Sequence, residues 1–490
     1  MQQQTFDYSR KWYVMAAVSM SILLATIDGS IVNVALPTLV ADLNTEFAVV
    51  EWVLLAYLLT MTTLLLSVGR WGDMIGKKSI YTAGFVVFTI GSVLCGLAPD
   101  VYWLIGFRVL QAIGAAMVLA LGAAILTEAF PASERGKALG LFGTVVSIGV
   151  VLGPTLGGIL IEALSWHWIF FVNLPVGIVG VWMAVRFVPA SKPLGNQQFD
   201  FPGALTFLIS MLALLLALTL GQQFGFGQTL ILLLFAGWLL FLVLFIFIEL
   251  RSNQPMIDLR LFQNILFSIN LVTGFFTFVA ISGIFILMPF YLENVLGYNT
   301  RQVGYLLAIV PIALGITAPI SGSLSDRLGT RPMTVVGLLA LLIGYFAAST
   351  LNAQTTVLGY VLRLLPIGIG MGIFQSPNNS AIMGAAPRER LGVVSGLLSV
   401  TRTLGQTTGI AVLGALWASR VIHYTGSPVA GGATNAPMAA QVAGLQDTLV
   451  SVAILIALGL GLSVWGLIQE RRSGQVTKTV VIDSSPNIEI

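Results

Sequence analysis

Ionisable side chains inside otherwise apolar segments are the residues of this sequence best suited to do chemistry. Asp28 lies in "ATIDGSIVNVALP", after a run from Trp12 to Thr26 that has no charged residue. Arg108, Arg363 and Arg402 also fall within apolar stretches. Such groups are costly in hydrocarbon unless they are paired or face water, so each one is expected to have a partner or a functional role.

The composition places these residues in a membrane protein. The chain of 490 residues is 57% hydrophobic and 9% charged, whereas ordinary soluble proteins are about one quarter charged. Hydrophobic windows long enough for a membrane-spanning helix recur along nearly the whole chain, and the short alternating segments of a transmembrane β-barrel do not. The sequence therefore predicts an all-α integral membrane protein. Its single cysteine, Cys95, excludes an intrachain disulfide and a cysteine-based metal cluster.

The apolar windows predict fourteen transmembrane helices. Eighteen of the 23 lysines and arginines lie in alternate connections or in the tails, and the positive-inside rule makes that side cytoplasmic. An even number of spans then puts both termini in the cytoplasm, in a multi-pass protein of the plasma (inner) membrane. The predicted spans are 12–36, 50–70, 79–97, 101–127, 137–162, 169–188, 203–221, 229–250, 265–291, 302–324, 333–350, 356–384, 391–419 and 447–468.

The sequence also contains an internal repeat. "GRWGDMIGKK" at Gly69 recurs as "GSLSDRLGTR" at Gly322, 253 residues later, and "RVLQAIG" at Arg108 is echoed by "RLLPIGIG" at Arg363, 255 residues later. Two matches at nearly the same offset indicate a duplicated six-helix unit with two helices inserted between the copies. The predicted organisation is a six-helix bundle (1–190), two inserted helices with linkers (191–262), a second six-helix bundle (263–425 and 440–472) and a cytoplasmic tail (473–490).

These features resemble the major facilitator superfamily, whose two halves are parallel repeats. The sequence is similar, over nearly its whole length, to the fourteen-helix drug:proton antiporter branch. "GRWGDMIGKK" resembles the superfamily's cytoplasmic loop signature, and "GVVLGPTLGG" matches the branch's signature in the fifth span at every defined position. The resemblance implies a major facilitator fold of fourteen helices arranged as six, two and six.

The loop signature implies a cytoplasmic latch between the halves. Asp73 would accept hydrogen bonds from the N-terminus of the helix beginning near Leu391, while Lys77 or Lys78 could pair with Glu128. A solvated loop that only fixes topology is the alternative. The glycine spacing does not match an ATP-binding P-loop. The predicted latch residues are Gly69, Asp73, Gly76, Lys77, Glu128 and, in the second copy of the repeat, Asp326.

The signature of the fifth span predicts close helix packing. Gly149, Gly153 and Gly157 are four residues apart and form one bare stripe, while Pro154 favours a kink and Gly158 completes the motif. By resemblance to the family, the tenth span faces this stripe and the two form a moving seal. General packing between any two membrane helices is the alternative.

Asp28 and Arg108 are predicted to form a proton-coupling pair. Asp28 lies about sixteen residues, or ~24 Å, from the inner end of the first span, and Arg108 lies in the outer half of the fourth span at a matching depth. "RVLQAIG" also resembles an arginine motif of the family. A buried acid and a guanidinium at one level form a pair that depends on protonation. His167 is interpreted as a rim residue and not as a pH sensor.

Other polar and aromatic residues inside the spans could line a substrate cavity. The alternatives are hydrogen bonds between helices, packing against lipid and, for Arg363 and Arg402, a structural tether to the backbone. The candidate cavity residues are Asn33, Tyr57, Gln111, Phe276, Gln375, Asn378, Asn379, Arg402 and Gln406.

The expected function is a proton-coupled secondary exporter of hydrophobic or amphipathic drugs. It would need no cofactor, since the proton gradient supplies the energy. Its partners would be protons, a small hydrophobic substrate and membrane lipids, but not nucleic acid. It would act as a monomer. The first alternative is export of an endogenous lipid, metabolite or organic anion, for which Arg363 and Arg402 would be suited. An intramembrane enzyme needs paired acids or a nucleophile with a base, and a receptor needs no buried acid, so both are disfavoured.

Overall fold

The structure is a computed structural model that describes residues 10–131, 135–189, 200–225, 227–252, 259–384, 391–427, 429 and 432–472. Every regular element in these ranges is helical. The predicted tail at 473–490 lies outside them. The helices are α1 (Lys11–Asp42), α2 (Phe47–Ile75), α3 (Lys77–Gly96), α4 (Val101–Ala129), α5 (Arg135–Ala163), α6 (Trp168–Phe171), α7 (Asn173–Phe187), α8 (Phe201–Phe224), α9 (Thr229–Arg251), α10 (Ile265–Phe290), α11 (Thr300–Leu307), α12 (Ile309–Leu328), α13 (Thr330–Ala348), α14 (Val357–Gly384), α15 (Leu391–Thr425) and α16 (Met438–Arg472).

Each predicted span falls on one helix or on a consecutive pair. The sixth span corresponds to α6 and α7, and the tenth to α11 and α12. Among the described residues, twelve helical segments are long and apolar enough to cross a membrane. The prediction of a multi-pass helical protein is confirmed, whereas the crossing of all fourteen segments and the domain boundaries stay predictions.

The internal repeat is visible in the backbone as well as in the sequence. Gly76 follows α2 with a φ of 110°, and Gly329 follows α12 with a φ of 90°. Both glycines donate a hydrogen bond to the carbonyl four residues earlier, at N–O distances of 3.0 and 2.9 Å. A side chain is disfavoured at a positive φ, so glycine is retained at the same turn in each copy.

The two copies also share a close helix contact. A Cβ atom on Gly91 of α3 would come within 2.7 Å of the Cα atom of Gln111 in α4. Gly344, 253 residues after Gly91, makes the same approach in the other half, where its Cβ atom would lie 2.8 Å from the nitrogen of Ile367. The helix pairs α3–α4 and α13–α14 are therefore built alike.

The two halves meet mainly through α2 against α15 and α5 against α11, with smaller contacts of α1 with α10 and α11 and of α5 with α12. On both of the main pairs, close contacts lie near the end of the molecule where α1 ends and α2 begins. The distribution of basic residues predicts that this is the outer end. Arg301 of α11 forms an exposed ion pair with Glu162 of α5 there, with a distance of 3.4 Å.

The inserted helices have different surroundings. α8 packs on α9 and also on α2 and α15, so it covers the junction between the two halves. α9 exposes many large apolar side chains, including Leu233 and Leu240, each with 64% of its surface accessible. An apolar helix with such exposure is suited to contact lipid.

Candidate functional site

Asp28 and Arg108 are the centre of a fully buried polar cluster. Arg108 Nη1 donates to Asp28 Oδ2 at 2.5 Å, and neither side chain is accessible to solvent. The other carboxylate oxygen, Oδ1, accepts from Gln111 Nε2 at 2.7 Å and from Asn173 Nδ2 at 3.0 Å. Asp28 is thus held by one charged and two neutral donors.

Gln111 connects the carboxylate to the third helix. Its Nε2 atom also donates to Ser92 Oγ at 2.7 Å, and its Oε1 atom accepts from Arg108 Nη1 at 2.6 Å. The cluster therefore joins α1, α3, α4 and α7. These helices can position it because α3 and α4 approach closely at Gly91.

Arg108 also binds α2. Its Nε atom donates to the carbonyl oxygen of Val53 at 3.1 Å, and its guanidinium lies 4.0 Å from the ring centroid of Tyr57. Its Nη2 atom has no hydrogen-bond partner among the described residues. If Arg108 were released from Asp28, its contacts with Val53 and Tyr57 of α2 would therefore change.

A buried pair of this kind responds strongly to the loss of one charge. Removing one partner of a buried ion pair typically costs about 3–5 kcal/mol, because the other charge is left unpaired in a low-dielectric environment. Protonation of Asp28 removes its charge without removing the side chain. The chemistry that this arrangement would allow is proton binding at Asp28 with rearrangement of Arg108.

Sequence reasoning missed two members of the cluster, Ser92 and Asn173. Asn173 is an amide at the start of an apolar helix, in "FFVNLP". A polar side chain within an apolar stretch was the signal that could have identified it. Tyr57 and Gln111, by contrast, were predicted to line a substrate cavity. The structure places both against Arg108, where they belong to the Asp28 cluster.

The predicted cytoplasmic loop is shorter than expected, because Gly69 to Ile75 belong to α2 and only Gly76 separates α2 from α3. Lys77 forms an ion pair with Glu128 of α4, which is one of the two pairings expected there. The side chains of Asp73 and Asp326 lie outside the described part of the structure, so their latch role stays a prediction. Gly69 has open space beside it, whereas Gly76 ends α2 at a positive φ.

The glycine stripe of α5 faces a different helix from the one expected. Side chains at Gly149, Gly153 and Gly157 would overlap Thr26, Ser30 and Ile31 of α1. Ser30 Oγ also lies 3.3 Å from the carbonyl oxygen of Gly149. The stripe therefore packs on α1, within one half, because its glycines have no side chains and α1 can approach the α5 backbone closely.

The other two motif residues do face the tenth span. A Cβ atom on Gly158 would lie 2.6 Å from the carbonyl oxygen of Thr300, and one on Gly304 would overlap the carbonyl oxygen of Pro154. The contact is with α11, which precedes the segment containing Pro311 and Pro319. The motif thus divides its residues between α1 and the junction of the two halves.

The remaining cavity candidates are dispersed. The amide of Asn33 lies 3.3 Å from the carbonyl oxygen of Ser30 in its own helix, and Asn378 donates to the carbonyl oxygen of Asn270. Phe276 faces Gly459 of α16. Four other candidates are partly buried, and their side chains make no hydrogen bond to described residues: Gln375, Asn379, Arg402 and Gln406. A pocket between α2, α8 and α15 contains none of the candidates and is lined by Leu59, Thr62, Met211, Leu214, Leu404, Thr407 and Thr408.

Arg363 forms hydrogen bonds with residues near the start of its own helix and just after the end of α13. Its Nε atom donates to Thr350 Oγ1 at 2.8 Å, and its Nη1 atom donates to the carbonyl oxygen of Gly359 at 3.0 Å. These contacts favour the structural tether over contact with a substrate.

The fold and the buried acid–guanidinium pair are those of a polytopic helical membrane protein. The sequence profile of the Major Facilitator Superfamily matches residues 18–410, and the chain belongs to this family. The resemblance found in the motifs is confirmed, since the chain is similar to several proteins named as multidrug transporters.

Three related proteins illustrate the range of names. The riboflavin transporter RibZ of Clostridioides difficile is 34% identical over 84% of this chain and 90% of its own length. The multidrug transporter MdtP of Bacillus subtilis is 31% identical, with 90% and 82% covered. The multidrug resistance protein Stp of Mycobacterium tuberculosis is 34% identical, with 83% and 75% covered.

Solved structures support the same fold. A bacterial homologue of the human lysosomal transporter Spinster, in an inward-facing and unoccupied conformation, superposes with a TM-score of 0.67. It is 17% identical, and the match covers 95% of this chain and 98% of that one. At this identity the similarity concerns the fold alone.

Proposed function

We propose that the protein is a proton-coupled exporter of hydrophobic or amphipathic drugs. The single observation that carries the proposal is the buried cluster in which Asp28 binds Arg108, Gln111 and Asn173. A carboxylate at this depth is costly to retain without a role in ion movement. The names of the relatives MdtP and Stp support drugs as the cargo.

In this proposal, proton binding at Asp28 changes the balance between two conformations. A neutral Asp28 holds Arg108 less strongly, and Arg108 is then free to move against Val53 and Tyr57 of α2. α2 contacts α15 in the other half, so a shift of α2 acts on the junction. Coupling requires only that the proton and the drug bind the two conformations with different affinities.

The wider arrangement is part of the same proposal. Fourteen helices cross the plasma membrane as six, two and six, and both termini are cytoplasmic. The transporter is a monomer in contact with lipid, takes its energy from the proton gradient, and needs neither a cofactor nor nucleic acid. The apolar surface of α9 supports its contact with lipid.

A second candidate function is export of an organic anion or metabolite. RibZ, which is named a riboflavin transporter, makes a non-drug cargo worth testing. Arg402 supports this candidate because its partly buried guanidinium has no hydrogen bond or ion pair to described residues. Arg363 does not support it, since Thr350 and Gly359 hold its guanidinium.

The test is transport into inverted membrane vesicles with an imposed proton gradient. A lipophilic cation and an organic anion are compared for the wild-type protein, Asp28→Asn and the matched control Asp42→Asn, which changes an exposed acid at the end of the same helix. We expect gradient-driven cation uptake to be lost in Asp28→Asn alone. Wild-type uptake in the Asp28→Asn vesicles would contradict the coupling role, and uptake of the anion alone would select the second candidate.

A further inference from the structure

Glu51 is a second acid inside the protein, at the junction of the two halves. It lies in the second turn of α2, and only 1% of its surface is accessible to solvent. In the sequence, Glu51 falls at the outer end of the second predicted span, 50–70, and was not among the candidate site residues. The fold instead buries it between the halves, because α2 packs along α15 from its first turns onward.

The surroundings of Glu51 are backbone and aromatic rings. Its Oε1 atom lies against Gly414 of α15, so closely that a side chain at Gly414 would overlap it. Phe47, one turn earlier on α2, touches the same glycine, and its ring centroid is 5.1 Å from that of Trp417 and 5.0 Å from that of Phe290. This contact joins helices of opposite halves.

Neither carboxylate oxygen of Glu51 has a hydrogen-bond partner among the described residues. The charged and titratable groups on the helices packed against α2 are engaged elsewhere, exposed, or at other depths. Asp28 binds Arg108, Arg420 lies 3.8 Å from Asp447, and Asp100 caps its own helix. The remaining groups of this kind with described surroundings are Lys11, Tyr13 and Asp42 on α1, Lys77, Lys78, Tyr81 and Cys95 on α3, Tyr102 and Glu128 on α4, Asp200 at the start of α8, and Arg402, His423 and Tyr424 on α15.

Among the residues that the structure describes, an ionised carboxylate in this place would find neither a counter-charge nor a hydrogen-bond donor. Burial disfavours the charged form of an acid, and the neutral form is the one compatible with this contact. Separation of α2 from α15 would admit water to Glu51 and remove that constraint. The contact between α2 and α15 at Gly414 is therefore favoured when Glu51 is protonated and disfavoured when Glu51 is ionised.

We propose that Glu51 binds a gating proton from the outer solution, which must be present before the outer ends of α2 and α15 can come together. The proposal rests on the proposed function, since it adds a second protonation site to the same transport cycle. The proton on Glu51 returns to the outer side when the outer ends of α2 and α15 separate, so it is not counted among the transported protons. Its binding sets the external pH at which these ends come together.

α2 connects this site to the Asp28 cluster. Val53 and Tyr57 lie one turn apart on the side of α2 that contacts Arg108, whereas Glu51 and Phe47 lie one turn apart on the side that contacts α15. A movement of α2 that follows release of Arg108 therefore also changes the contact at Gly414. The two acids act on the same helix from different sides.

The experiment measures the separation of the outer ends directly. Spin labels are placed on Leu97, at the end of α3, and on Gln354, in the connection between α13 and α14, after Cys95→Ser. Both positions are exposed, and they belong to different halves. Distances between the labels are recorded by pulsed electron resonance in lipid nanodiscs from acid to alkaline pH, in an Asp28→Asn background that removes the other proton site.

We expect the ratio of separated to joined outer ends to rise with pH, by up to about tenfold per pH unit for one linked proton. With Glu51→Gln added, the ends are expected to stay joined and the ratio to vary less than about twofold over the whole range. Glu51→Leu serves as a second neutral variant. Glu46→Gln, which changes an exposed acid just before α2, should leave the pH response intact.

An unchanged pH response in Glu51→Gln and Glu51→Leu would overturn the proposal, as would a wild-type ratio that does not vary with pH. The assay contains no drug and no gradient. Loss of the proposed drug transport would therefore leave its outcome unaffected, and a negative result for Glu51 would leave the role of Asp28 standing.

Discussion

The two halves of the molecule carry an arginine at nearly the same place in the repeat and use it differently. Arg108 has no accessible surface and binds Asp28. Arg363, 255 residues later, lies near the start of α14 and binds Thr350 and the backbone of Gly359. The residue 253 positions after Asp28 is Ile281, so the second copy offers no acid there. The same position in the repeat therefore has different partners in the two halves, an acid in the first and a threonine with a backbone carbonyl in the second.

The second half buries a different arginine. Arg331, at the start of α13, donates from Nη1 to Asn270 Oδ1 at 2.9 Å and from Nη2 to the carbonyl oxygen of Leu266 at 3.1 Å. Its Nε atom lies 3.5 Å from Glu470. This network lies at the opposite end of the helices from Arg363. Duplication has thus preserved the backbone while the polar networks have diverged.

The largest expected effect comes from removing Arg108, and removal of Arg363 is the comparison. Arg108→Gln leaves Asp28 buried without its counter-charge and is expected to reduce the free energy of unfolding by about 3–5 kcal/mol. Arg363→Gln removes hydrogen bonds near the surface and is expected to cost less than about 1.5 kcal/mol. Thermal unfolding in detergent measures both changes.

Asp28→Asn combined with Arg108→Gln is the control for this pair. The double variant removes both charges, so it should be more stable than Arg108→Gln alone. Equal losses for Arg108→Gln and Arg363→Gln would erase the distinction between the two halves.

The turn glycines test what the halves share. Gly76→Ala and Gly329→Ala each place a side chain at a positive φ, and each is expected to cost roughly 1–2 kcal/mol. The two losses should be similar, since the φ angles are 110° and 90°. The same unfolding measurement applies, with Gly106→Ala as the control, because Gly106 lies within a helix and has open space beside it. A large loss at only one turn would show that the backbones of the halves have also diverged.

The smallest expected effect concerns His167, in the connection before α6. Partial burial lowers the pKa of His167, so folding favours its neutral form. Stability from this residue is present above a pH of about 6.5 and declines as the pH falls through the lowered pKa. His167→Gln should remove that small decline, which unfolding temperatures at neutral and mildly acidic pH would detect. His423→Gln, in the other half, is the comparison variant, and an equal change in both would contradict the assignment to burial.

Much of the fold was predictable because membrane helices are defined by hydropathy along the chain. The predicted spans fall on helices, and the repeat offset of 253 reappears in the turns at Gly76 and Gly329. Depth along a helix was also predictable from its rise per residue, which is how Asp28 and Arg108 were paired. Which helix packs against a given face was less predictable. The glycine stripe of α5 was predicted to face the tenth span, whereas it packs on α1.

The sequence by itself determined that this is a duplicated helical membrane protein with an acid and an arginine at one depth. It did so because hydropathy, charge asymmetry and repeat spacing are properties of the linear chain. Only the tertiary structure decided which residues complete the Asp28 cluster and that Glu51 is buried against Gly414. Helices that are apolar on most faces carry little periodicity, so their rotation and their partners depend on packing between segments distant in sequence.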